Sequence, residues 1–83
     1  MYLHLGQSFM VPSESVVGVF DLDNAAYGQR TREFLKSAEK AGQVVNAAED
    51  IPRSFVLCID GTKKTVYLSQ LSSQTLQRRW ENE

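Results

Sequence analysis

Hydrophobic and polar residues alternate at the start of the chain. Leu3 and Leu5 are separated by His4, and a second short apolar segment at 9–11 follows the connection Gly6-Gln7-Ser8. A period of two is typical of a strand with one buried face, and a three-residue connection containing glycine is typical of a hairpin. The pattern therefore predicts strands at 2–5 and 9–11 that pair with each other.

The next apolar run, 16–20, is rich in β-branched residues and predicts a buried strand. It ends at residues 21–24, whose short polar side chains favour turns and helix starts. Asp21 and Asp23 could in principle ligate a cation. A turn and capping role is favoured, because no third hard ligand follows at a loop-like interval.

A helical period replaces the alternation further along the chain. Phe34, Leu35, Ala38 and Ala41 recur at helical spacing while charged residues occupy the other positions, which predicts an amphipathic helix over 29–41. Gly42 follows as a residue that can adopt positive φ at a helix end. A short strand is expected at 44–46.

The second half of the chain predicts another hairpin and another helix. An acidic loop at 47–52 is followed by strands at 55–59 and 65–69, which connect through Asp60-Gly61. Ser72 is then a candidate N-cap, with Leu71 and Leu76 at the positions of a hydrophobic staple, and the helix is expected to reach Trp80.

These elements predict an α+β fold: a small, mostly antiparallel sheet of hairpins with one central amphipathic helix and one C-terminal helix. The chain has 83 residues, enough for one hydrophobic core and thus a single domain, 1–83. No apolar run approaches the roughly 20 residues that cross a bilayer, and the first residues lack the pattern of a signal peptide. We therefore expect a cytoplasmic protein without a membrane partner.

Residues that could carry catalysis are sparse. Cys58 is the one cysteine and His4 the one histidine; the cysteine lies in an apolar strand and the histidine on the polar side of another, so a core thiol and a surface imidazole are favoured over a nucleophile and its base. No Gly-rich phosphate loop or paired metal ligands are present. We expect a protein that binds rather than catalyses, with no cofactor and no metal.

The formal net charge is −1, yet the cations are unevenly distributed. The segment 61–80 holds Lys63, Lys64, Arg78 and Arg79 and no carboxylate. Adjacent arginines on a helix diverge by about 100° and can contact phosphates on either side. Two alternatives remain open: the arginines solvate a helix end and interact with its dipole, and the lysines only solubilise a loop.

Large aromatic residues near the end of the chain offer another interpretation. Tyr67 and Trp80 are residue types that often cover subunit contacts. A short chain also gains stability from self-association, because association shields the edges of its sheets. A homo-oligomer is therefore attractive on physical grounds.

Five segments in order along nearly the whole chain resemble the extracellular matrix regulatory protein RemB family, which is related to RemA. They are MYLHLG at 1–6, SVVGVFD at 15–21, REFL at 32–35, PRSFV at 52–56 and YLSQLSSQTL at 67–76. The resemblance implies a cytoplasmic bacterial regulator of biofilm matrix gene expression. For RemA relatives it further implies ring-shaped homo-oligomers that bind DNA, in which avidity multiplies a weak basic patch.

The sequence departs from the RemA-like pattern at its basic positions. Those relatives carry an arginine-rich loop before the strand that corresponds to 55–59, where this chain has the segment 50–54 and only Arg53 remains. A second basic position of the relatives falls near Ser15, beside Glu14. This departure weighs against DNA binding, and the resemblance implies a RemB-like branch that keeps the ring and changes its partner.

The leading hypothesis is a homo-oligomeric transcription regulator that binds the DNA phosphate backbone without reading bases. The candidate contacts are Arg53, Arg78, Arg79, Lys63 and Lys64. The alternative hypothesis is an oligomeric protein-interaction module that regulates through a protein partner without binding DNA.

Overall fold

The computed structural model describes residues 1–23 and 28–82 and has an α+β fold, as predicted. Its strands and helices, in chain order, are β1 (Tyr2–Gly6), β2 (Phe9–Pro12), β3 (Val16–Asp21), α1 (Gln29–Lys40), β4 (Val44–Asn46), β5 (Ser54–Asp60), β6 (Lys63–Ser69) and α2 (Ser73–Glu81). A short 3-10 turn, Ser13–Ser15, connects β2 to β3. Most predicted boundaries are correct to within one residue. Strand β6 is the exception: it begins at Lys63, two residues before its predicted start, so that Lys63 and Lys64 belong to the strand.

The strands form two sheets. Strands β1 and β2 make an antiparallel hairpin, and the other four form a sheet in the order β3-β5-β6-β4. The predicted β5–β6 hairpin is confirmed, with Ser54 opposite Ser69 at one end and Asp60 opposite Lys63 at the other. Strand β4 lies parallel to β6, so the sheet is mostly but not entirely antiparallel.

One face of the four-stranded sheet packs against the β1–β2 hairpin and α2, and we call it the hairpin face. Its core includes Leu3, Leu5, Val56 and Leu76, each at most 1% exposed. Alternate residues of β5 and β6 point here because strand side chains alternate between the two faces. The hairpin face is thus the main hydrophobic core.

Two buried serines form hydrogen bonds within the hairpin face. Ser69 Oγ donates to the carbonyl oxygen of Leu5 at 2.6 Å, and Ser54 Oγ donates to that of Leu71 at 2.7 Å. Both serines are fully buried. Each therefore meets the requirement that a polar group inside a core be hydrogen-bonded.

Helix α1 packs on the opposite face of the sheet, which we call the α1 face. Ala38, Phe55 and Val66 are buried there, and Phe34 and Leu35 of the predicted apolar stripe are half-buried against them. The predicted amphipathic orientation of α1 is therefore confirmed.

Strand β3 is less buried than predicted. Val17 is 54% exposed and Phe20 is 43% exposed, because β3 is an edge strand that pairs only with β5. A bulge lies between Val16 and Gly18. The β-branched run correctly predicts a strand, but it does not determine the strand's place in the sheet.

The helix ends are partly as predicted. Gly42 has φ 71° after α1, and Ser72 caps α2 by accepting a hydrogen bond from the Thr75 amide at 3.1 Å. The turn role predicted for Asp21 is confirmed, because its side chain accepts a hydrogen bond from the Asp23 amide at 2.8 Å. Gly28 precedes α1 without a side-chain cap, and residue 24 lies outside the described residues.

No helix among residues 1–23 and 28–82 combines the length and the apolar character that a membrane crossing requires.

Candidate binding surfaces

Arg53 lies immediately before β5, where the backbone continues the sheet's hydrogen bonding. Its amide donates to the Ser69 carbonyl at 2.8 Å, and its own carbonyl accepts from the Leu22 amide at 2.9 Å. These bonds fix the position of the residue at one end of the four-stranded sheet. Its side chain is 51% exposed.

The guanidinium of Arg53 is engaged by a carboxylate. Arg53 Nη2 lies 2.8 Å from Asp23 Oδ2, and Nε donates to the same oxygen at 2.9 Å. The hydrogen bond and the charge of Asp23, with a smaller contribution from Asp21, raise the pKa of Arg53 above its ordinary value. A phosphate at Arg53 would therefore have to compete with Asp23.

The loop before Arg53 presents an apolar residue among acids. Ile51 is 78% exposed and follows Glu49 and Asp50, both also exposed. The Glu49 amide donates to Gln70 Oε1 at 2.7 Å, and the Ile51 amide donates to Asp50 Oδ1 at 2.8 Å. Sequence reasoning missed Ile51; the available signal was an isolated apolar residue in an acidic loop before a proline.

The two lysines lie at the other end of the β5–β6 hairpin. Lys63 pairs in register with Asp60, so seven residue steps, or about 23 Å, separate this end from Arg53. Lys64 points to the α1 face, where its Nζ lies 5.2 Å from the centre of the Phe34 ring. Lys63 and Lys64 therefore do not form a single phosphate contact with Arg53.

Arg78 and Arg79 occupy the last turn of α2 and are exposed. Arg79 Nη1 is 3.4 Å from the carbonyl oxygen of His4. Arg78 lines a shallow cleft between α2 and Val19 that also contains Glu81. Trp80 packs against the core of the hairpin face, so its indole serves packing there.

The five predicted contacts thus lie in three places: the start of β5, the start of β6, and the end of α2. Within residues 1–23 and 28–82, an ion pair engages Arg53 alone among the five. The other four, Lys63, Lys64, Arg78 and Arg79, form no ion pair with the described residues.

The cysteine and histidine occupy the positions expected from the sequence. Cys58 is a free, buried thiol, and burial raises its pKa, against a smaller opposing effect of a hydrogen bond with Ser15. His4 is exposed, with Nε2 2.7 Å from the carbonyl oxygen of Gln7. The two side chains share no hydrogen bond, and a buried protonated thiol is a poor nucleophile.

Comparison with known proteins gives two matches. The family model described as RemA-like, extracellular matrix regulatory protein A-like, matches residues 2–80. Extracellular matrix regulatory protein B of Bacillus subtilis (strain 168) is 38% identical over 79 residues, which cover 95% of this chain and 89% of that protein. Both matches confirm the resemblance seen in the sequence, and the chain belongs to the RemA-like family of extracellular matrix regulatory proteins.

Proposed function

We propose that this protein is a cytoplasmic, homo-oligomeric regulator of extracellular matrix gene expression that binds the DNA phosphate backbone and has no catalytic role. The name of the Bacillus subtilis relative supports the regulatory role. The observation that carries DNA binding is the set of cations in the acid-free segment 61–80, which are free of ion pairs with the described residues.

The end of α2 is the strongest phosphate contact in this proposal. Arg78 and Arg79 are both exposed and diverge by about 100° around the helix, so they reach phosphates on either side of it. A few such contacts bind weakly in one chain, but an oligomer that presents the same pair from each subunit gains affinity through avidity.

Arg53 is a weaker contact, because Asp23 already holds its guanidinium. The lysines at the start of β6 are intermediate: Lys63 faces Asp60 across the hairpin, and Lys64 lies over an aromatic ring. The proposal therefore ranks Arg78 and Arg79 first, the lysines second, and Arg53 last.

The direct test is a polarisation titration of a labelled DNA duplex at low and high salt. The double variant Arg78→Glu/Arg79→Glu should lose at least roughly tenfold in affinity, because phosphate contacts release counterions and dominate such binding. The matched control is Lys36→Glu/Lys40→Glu on exposed positions of α1, which makes the same change in net charge. Absence of binding at low salt, or binding insensitive to salt, contradicts the proposal.

The ranking of Arg53 has its own test. Asp23→Asn releases the guanidinium and should raise DNA affinity by more than Glu39→Gln, which removes one exposed negative charge on α1. Equal effects of the two variants mean that only net charge has changed and that Arg53 makes no contact.

A second candidate function is the protein-interaction module, which the exposed Ile51 in its acidic loop favours. Combining Arg53→Glu with Arg78→Glu separates the two functions. A DNA-binding protein should lose DNA while keeping its oligomeric mass. In an interaction module whose arginines bridge subunits, the same variant should reduce that mass.

A further inference from the structure

An apolar cleft remains open on the α1 face beside the helix. Its floor is formed by Phe20, Phe55 and Leu57 from β3 and β5, and Phe34 of α1 forms one wall. The rings of Phe20 and Phe55 stack with their centres 4.8 Å apart, and Phe34 lies 5.9 Å from Phe55. The cleft encloses about 200 Å³, and Phe20 is 43% exposed within it.

One cation lines this aromatic cleft, and a second lies beside its Phe34 wall. Arg30 lines it directly, and Lys64 Nζ is 5.2 Å from the ring centre of Phe34. Neither cation forms an ion pair with the residues that the structure describes. An occupant that matches this surface has a large apolar side chain with carboxylates beside it.

The chain itself presents such a segment in the loop before β5. Ile51 is the most exposed large apolar side chain of the described residues, at 78%, and Glu49 and Asp50 precede it. Hydrogen bonds from the Glu49 and Ile51 amides hold the loop, so the apolar side chain is presented without a large loss of conformational freedom. The apolar side chain and the acidic residues of this loop are thus complementary to the aromatic cleft and its cations.

Ile51 does not reach the aromatic cleft of its own chain. It lines a different cleft, together with Leu22, Leu35, Val44 and Leu68, and the two clefts have no lining residue in common. A contact between Ile51 and the aromatic cleft therefore joins two copies. Because the two surfaces differ, the contact is head-to-tail, and repetition of it gives a closed ring or an open filament.

We propose that Ile51 of one copy inserts into the Phe20, Phe34, Phe55 and Leu57 cleft of the next, with Glu49 and Asp50 facing Arg30 and Lys64. This contact rests on the homo-oligomer of the proposed function and identifies the surfaces that build it. It also removes the exposed Ile51 and Phe20 from water together.

The test is sedimentation velocity of the full chain over a range of concentrations. Ile51→Ser should weaken assembly at least roughly tenfold, because it removes the apolar anchor. The matched control, Met10→Ser, changes another exposed apolar side chain, 58% exposed on β2, and should leave assembly unchanged. Arg30→Glu should also weaken assembly, and Glu49→Arg in the same chain should restore it.

A mixing experiment tests the head-to-tail arrangement. Phe20→Ser has a defective cleft and an intact Ile51, whereas Ile51→Ser has the opposite defect. Each alone should be largely monomeric, and the mixture should form a dimer of one chain of each kind and stop there. Circular dichroism checks that Phe20→Ser is folded, and Arg30→Glu replaces it in the mixture if it is not.

The outcomes separate this inference from the proposed function. A wild-type chain that assembles, together with variants that assemble equally well, overturns the contact and leaves the proposed function intact; the cleft is then free for another occupant, such as a small apolar ligand. A wild-type chain that is monomeric at every concentration overturns both. A mixture that regains the full wild-type mass also overturns the head-to-tail contact.

Discussion

The two faces of the four-stranded sheet are covered to different extents. The hairpin face is covered by the β1–β2 hairpin and α2, and Leu5, Val56 and Leu76 are fully buried between these elements and the sheet. On the α1 face, Phe20 is 43% exposed and Leu57 only half-buried beside a single helix. One face therefore forms the closed core of the fold, while the other leaves apolar surface exposed to solvent.

The difference in how well the two faces are covered follows from the width of a helix and the spacing of strands. A helix with its side chains is about 10 Å across, whereas neighbouring strands are about 4.8 Å apart, so one helix covers about two strands of a four-stranded sheet. Helix α1 contacts β4 at one edge of the sheet, and Phe20 on the β3 side remains 43% exposed. Two elements share the hairpin face and close it.

The largest effect is expected from truncating the closed core. Leu76→Ala on α2 should lower the free energy of unfolding by about 3 kcal/mol, because it removes a fully buried side chain and leaves a cavity. The same truncation of half-buried Leu35 on α1 should cost roughly half as much. Urea unfolding followed by circular dichroism measures both, and equal losses would remove the proposed difference between the faces.

Removing a buried hydrogen bond should have the next largest effect. Ser69→Ala should lower the free energy of unfolding by about 2 kcal/mol, because the Leu5 carbonyl and the Leu71 amide both lose the Ser69 hydroxyl as a partner. Ser8→Ala, at an exposed position, is the control. The Leu71 amide should exchange faster in Ser69→Ala, and an unchanged exchange rate would contradict this assignment.

The buried thiol of Cys58 predicts a loss of stability at alkaline pH. Burial raises its pKa above the ordinary 9.0, so above pH 9 the unfolded chain loses the proton while the folded chain retains it. Stability should fall with rising pH by at most about 1.4 kcal/mol per unit until the folded-state pKa is passed. Burial also raises the pKa of Tyr67 from 10.0, so a second decline should begin near pH 10.

Urea unfolding between pH 7 and 10.5 measures this dependence. Cys58→Ala should flatten the profile between pH 9 and 10 and leave the later decline in place. A profile that is unchanged by Cys58→Ala would show that the thiol is not held in its protonated form.

The smallest effects concern the helix starts. Ser72→Ala should cost about 1 kcal/mol, since the side chain caps α2. Gly28→Ser should stabilise the chain by a few tenths of a kcal/mol, because α1 begins without a side-chain cap and a Cβ at Gly28 has open space around it. Thermal unfolding of Ser72→Ala and Gly28→Ser measures both effects. A lower unfolding temperature for Gly28→Ser than for the wild type would contradict the second prediction.

Local patterns were sufficient to predict the elements. The period of two gave β1, the helical spacing of Phe34, Leu35 and Ala38 gave α1, and Ser72 marked the start of α2; each of these signals acts between residues close in sequence. The parallel pairing of β4 with β6 and the edge position of β3 had no such signal, because they depend on contacts between distant segments.

For the candidate contacts, too, local sequence was informative and contacts between distant segments were not predictable. The sequence placed the cations of 61–80 in one acid-free segment, but the turn between β5 and β6 and the direction of α2 separate them in space. It gave no indication that Asp23 would hold Arg53, 30 residues away, since an ion pair of that kind depends on where β3 ends and β5 begins.

By itself, the sequence determined the α+β composition of the fold, its hairpins and helices, and its membership of a family. The tertiary structure decided which apolar side chains remain exposed and which cations remain unpaired. The physical reason is that hydrogen-bonded turns and periodic burial are set by near neighbours, whereas the cover over each face of a sheet depends on which elements pack there.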